Sequence, residues 1–133
     1  MKQKHIFLFT ITHYGNDNSI TCNHIQGQIS KETNSSYFVE TTNGQKICPK
    51  QLFTNFKVIK DEFVSDCFNN PTITTYRMGF IWEDGDDEHY IHYKAAECQR
   101  RCKIPVIDYL NEIRDAISKS IDKLVETQFG IKI

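Results

Sequence analysis

The feature that most restricts the fold of this 133-residue chain is an apolar stripe near its C-terminal end. Val106, Leu110, Ile113, Ile117, Ile121 and Leu124 follow one another at steps of three and four residues, with Asp108, Asn111, Glu112, Asp115, Lys119, Asp122 and Lys123 between them. Such spacing places the apolar side chains on one face of an α-helix. Pro105 suits the first helical position, and Gly130 stands where a C-cap is expected, so the pattern predicts a long amphipathic helix over residues 105–129. Lys94–Lys103 contains helix formers and predicts a shorter helix over 94–103, interrupted at Ile104-Pro105.

Upstream the chain reads as strands. Nine Phe, six Tyr and one Trp accompany many β-branched residues. Ile6–Ile11 is apolar on both faces, Ile20–Ile29 predicts a second strand with a bend at Gly27, and residues 30–36 form a polar loop. Tyr37–Cys48 predicts a hairpin about a type I′ Asn43-Gly44 turn. Lys50–Phe53 predicts a single turn and Phe56–Ile59 a short strand, with residues 60–71 as a connector. Thr72–Trp82 and His89–Tyr93 predict a second hairpin whose tip is Glu83–Glu88. The expected fold is therefore α+β in a single domain of residues 1–133. A small antiparallel sheet or barrel over 4–93 is followed by the two helices. The strand, bend and hairpin order of residues 20–59 resembles small SH3-like barrels in pattern alone, without family signature residues.

Charge is unevenly distributed: +4 over residues 1–60, −7 over 61–97 and +2 over 98–133. Lys46, Lys50 and Lys57 cluster around the first hairpin with Tyr37 and Phe38, while Arg100 and Arg101 supply guanidinium groups. Cations position phosphates, and aromatic rings can stack bases. These residues are the candidate ligand-binding set, and the expected function is a non-catalytic binding module for an anionic partner, either nucleic acid or a small phosphorylated or nucleotide ligand. The helical stripe, Val106 to Leu124, is the candidate homodimer interface. An alternative is a protein–protein adaptor or inhibitor, such as phages encode, that presents Asp84, Asp86 and Asp87. A second alternative is a small Cys/His enzyme.

Other chemistry finds less support. His89, His92, Cys98 and Cys102 crowd together but match no common zinc spacing. Glu83–Glu88 lacks the order of a calcium loop. There is no nucleophile elbow, phosphate-cradling loop or dinucleotide fingerprint, so no cofactor and no metal are expected. Five Cys at irregular spacing point to free thiols in a reducing compartment. No run reaches the roughly 20 apolar residues of a membrane helix, so the expected location is the cytoplasm.

Overall fold

A computed structural model describes residues 2–64, 72–113 and 118–133. The fold is α+β: six antiparallel strands in an open sheet, followed by two helices. The strands are β1 Lys4–Tyr14, β2 Ser19–Glu32, β3 Ser36–Thr41, β4 Gly44–Pro49, β5 Ile59–Val64 and β6 Thr72–Glu83. Their order in the sheet is β4-β3-β2-β1-β6-β5, so among the described residues β4 and β5 are edges and the sheet does not close into a barrel.

Alternation along β1 explains the layers. Phe7, Phe9 and Ile11 face one side and pair with Phe80, Met78 and Tyr76 of β6. They form the larger core beneath helices α1 (Glu88–Glu112) and α2 (Ser118–Glu126). Ile6 and Leu8 face the other side and meet Val39, Cys48 and Leu52 in a smaller core. Both faces of β1 are therefore covered, which is why its sequence is a continuous apolar run.

The second core forms because the sheet curls. Gly27 passes so close to β3 that a Cβ there would lie 2.2 Å from the Glu40 carbonyl oxygen. Three residues later the β2–β3 register slips between Ile29 and Lys31, a bulge that bends the strand. The 3₁₀ turn Lys50–Phe53 then packs across the curl, with the Phe53 ring lying on Gly79.

Several local expectations change. In the hairpin only Gly44 has a positive φ (97°), with Thr41 paired to Gly44, so the turn is not type I′. Strand β5 occupies Ile59–Val64 rather than Phe56–Ile59. His89–Tyr93 is not a strand but the first turns of α1, and the acidic segment joins a strand to a helix. Asp87 makes that start possible: its carboxylate accepts from His89 N at 2.9 Å as an N-cap.

The expected break at Ile104-Pro105 is absent, and α1 runs through Pro105. Cys98 and Cys102 before the proline, and Val106 and Leu110 after it, are all buried against the same sheet face. That shared packing holds the helix together across the missing hydrogen bond. The helix ends at Ile113, and α2 spans only Ser118–Glu126, so the single 105–129 helix is two helices and Gly130 caps neither. Cys67 and Ile117 lie outside the described residues.

Candidate functional site

Strand β2 is longer than its outer neighbour. Its ladder with β3 runs from Glu32–Tyr37 to Gln28–Glu40 and stops there. Residues 19–27 of β2 thus pair with β1 on one side and, among the described residues, with no strand on the other. A groove of about 640 Å³ lies at this step in the sheet. The β2 segment His24–Gln28 and the hairpin residues Glu40–Asn43 line it, with Lys46 from β4, His5 and Trp82 from the central strands, and Lys132 from the segment after α2. A volume of this size suits a drug-sized or nucleotide-sized molecule.

Two histidines give the groove its chemistry. The His5 imidazole stacks on Trp82 with ring centroids 5.3 Å apart and planes 22° from parallel. Its Nε2 donates to the Asp84 carboxylate at 2.6 Å, which fixes the ring plane. That hydrogen bond, together with one from Gln3 N, holds the Asp84 carboxyl below its ordinary range. His24 lies against Phe129 at 4.5 Å and Phe7 at 5.7 Å. Burial lowers its pKa, and the nearby Lys132 ammonium lowers it further.

The groove also holds two cations, Lys46 and Lys132. Neither forms an ion pair among the described residues. Both are exposed, so each ammonium can turn toward a bound anion. Gln28, Thr41, Thr42 and Asn43 add neutral hydrogen-bonding groups, and Glu40 adds an acceptor. A second cavity of about 310 Å³ adjoins it, sharing His5, Trp82 and Lys132, and its lining includes the acidic residues Glu83, Asp84, Asp86 and Glu88 along with Ile91 and Ile133.

Of the residues expected to bind a ligand, only Lys46 reaches this groove. Lys50 pairs with Glu32 at 2.8 Å and lies over the Tyr37 ring, which meets Phe53 edge-on, so both belong to the packing of the hairpin. Phe38 is covered by Lys31, and Lys57 is exposed away from the groove lining. Arg100 and Arg101 both turn to Glu97. Arg100 binds it through two nitrogens at 2.9 Å, and Arg101 binds it through Nε at 2.9 Å. Arg101 also donates to the Phe56 carbonyl at 3.1 Å and lies over that ring at 5.0 Å. It thereby clamps a loop in which Asn55 and Phe56 both have positive φ, at 63° and 46°.

The other expected sites are likewise taken up by the fold. Asp84 binds His5 and Gln3, Asp86 accepts from Glu83 N at 2.9 Å, and Asp87 caps α1. Val106, Leu110 and Leu124 are buried in the core between the helices and the chain's own sheet. Ile121 is half-buried against the same core, and Ile113 is exposed. His89 and His92 are exposed on α1 while Cys98 and Cys102 are buried beneath it. Burial pushes the Cys98 thiol up to about 12 and raises Cys102 as well, so both stay protonated at neutral pH. No cluster of three metal-ligating side chains occurs among the described residues.

His5, His24, Gln26, Gln28, Trp82 and Lys132 were not singled out from the sequence. One signal was present: Cys22, His24, Gln26 and Gln28 share the helix-facing phase of β2, and three polar residues on a core-facing phase mark a break in the apolar layer. Among the described residues no helix is long and apolar enough to cross a membrane. No family model, no curated protein and no solved structure matches this chain.

Proposed function

We propose that the protein is a non-catalytic binding module for a small phosphorylated ligand of the nucleotide class, held in the groove beside β2. The observation that carries this reading is the placement of two ammonium groups with no ion-pair partner among the described residues, Lys46 and Lys132, around a groove that also presents a Trp-backed imidazole. Ammonium groups attract phosphate as point charges. The outer face of His5, held by Trp82 behind and Asp84 at its edge, offers a flat surface on which a base can stack. Glu40 and the neutral amides supply acceptors and donors for sugar and base edges. The groove is short and bounded by the hairpin, so it favours a single nucleotide over a polymer.

Titration calorimetry at low salt with ATP, AMP, pyrophosphate and a single-stranded oligonucleotide tests the proposal. ATP is expected to bind, more tightly than pyrophosphate and with an affinity that falls as salt rises. Replacing both lysines, Lys46→Glu with Lys132→Glu, is expected to reduce affinity by about a hundredfold or more, on the basis of two lost charge-assisted contacts. Absence of binding by every one of these anions overturns it. A second reading, the protein–protein adaptor, draws support from the unpaired β2 edge over residues 19–27, where an extended peptide could add as a strand. Binding that protects the amides of residues 23–27 and survives the double lysine reversal would select that reading.

A further inference from the structure

Residues after Glu126 form neither helix nor strand, yet they are held at defined points. Gln99 of α1 is 2% exposed. Its Nε2 donates to the Phe129 carbonyl at 2.9 Å, and its Oε1 accepts from Phe129 N at 2.7 Å. Gln26 of β2 repeats the arrangement: its Oε1 accepts from Lys132 N at 3.0 Å, and its Nε2 donates to the Lys132 carbonyl. Each glutamine gives one residue of the segment the two hydrogen bonds that a neighbouring strand would give. Between these points the Phe129 ring lies on His24 and Phe9, and Ile131 is buried. The outcome is that Lys132 stands in the wall of both cavities.

Beyond Thr127, no backbone-to-backbone hydrogen bond among the described residues ties this segment to the sheet. It is attached through side chains that can let go without disturbing a strand ladder. We infer that residues 127–133 are a detachable strap, and that Gln26 and Gln99 are positioning residues that seat Lys132 in the ligand groove. With the strap docked, Lys132 joins Lys46 beside the bound anion. With it released, half of the cationic pair leaves the groove, and His24 and Phe9 are uncovered. A ligand that contacts Lys132 binds the docked form better and so shifts the population toward it. The inference rests on the nucleotide-class reading for its ligand, but the strap itself can be judged without one.

The test is hydrogen exchange on the full chain, wild type against Gln99→Leu, with and without ATP, together with ATP affinities for these and for Lys132→Ala and Lys132→Arg. In the absence of ligand, Gln99→Leu is expected to speed exchange at Phe129 and Lys132 while β1 and β6 amides keep their protection, the signature of local release. ATP is expected to slow exchange of residues 128–133 in the wild type. Gln99→Leu and Lys132→Ala are each expected to weaken ATP binding about tenfold, the loss of one charge-assisted contact, whereas Lys132→Arg retains it within about twofold. The inference is overturned if Gln99→Leu leaves exchange at Phe129 and Lys132 unchanged, if it exposes the central strands equally, or if it frees the strap with no change in ATP affinity. Should neither ATP nor any of the other anions bind the wild type, the nucleotide reading falls, and the detachable strap stands or falls on the ligand-free exchange.

Discussion

Asp87 shows how one side chain can redirect a chain. Read as part of an acidic run, it belongs to a solvated hairpin tip; in the fold it starts a helix 25 residues long by accepting from the amide of His89. Its neighbours are also engaged by the chain, Asp86 locally by the Glu83 amide and Asp84 by the distant His5. Replacing Asp87→Ala is expected to destabilise the protein by about 1 kcal/mol, the usual cost of losing an N-cap, read as a lower urea midpoint with an unchanged slope. A change within error would mean that another group caps α1. The helical signal was available beyond the aromatic residues: Ile91, Ala95, Cys98, Cys102, Val106 and Leu110 are spaced three or four apart and all are buried. The β-favouring aromatics Tyr90 and Tyr93 obscured it, because propensity at exposed positions yields to the packing of the buried ones.

Among the elements, the strands were the most legible. The continuous apolar run of β1, the Asn43-Gly44 turn region and the β-branched stretch of β6 each fall within observed strands or turns. The helices were legible as an apolar face but not in their breaks. Pro105 looks like a start from local rules, yet it lies inside α1, since the face it interrupts is buried on both sides of it. Helix α1 thus tolerates a residue that leaves a carbonyl one turn back without its usual donor. Pro105→Ala is expected to restore that bond and stabilise the protein, by at most about 3 kcal/mol, again measured by urea denaturation. Destabilisation instead would show that packing of α1 on the sheet depends on the shape the proline imposes. Of the apolar stripe, Val106, Leu110 and Leu124 are buried against the sheet of the same chain, Ile121 is half-buried and Ile113 is exposed.

At the scale of the molecule, the groove was illegible for a definite reason. Its residues come from β1, β2, β3, β4, β6 and the strap, and they meet only because β2 outruns β3 and the sheet curls at Gly27. No local pattern encodes that step. The same assembly makes stability sensitive to acid. His24 is held below its ordinary value of 6.5 by burial and by Lys132, so the unfolded chain takes up a proton at a pH where the folded one does not. Stability is therefore full above that value and declines as pH falls below it, until the folded residue is protonated in turn. Across about pH 8 to 5, His24→Gln is expected to lose less stability than the wild type, as measured by thermal melts at each pH. Equal losses would show that His24 is not linked to folding.

The open sheet has one more consequence, at its β5 border. An unpaired strand edge can template the strand of another molecule. Along β5, Asp61 is held by Arg77 at 2.8 Å and Glu62 by Lys60 at 3.2 Å, so charge is fixed on both faces beside the exposed Phe63 and Val64. Two copies meeting edge to edge there would have to bury these paired charges. Exposed ion pairs of this kind add little to the stability of a single molecule, whereas charges set along an edge strand disfavour its pairing with the edge of another.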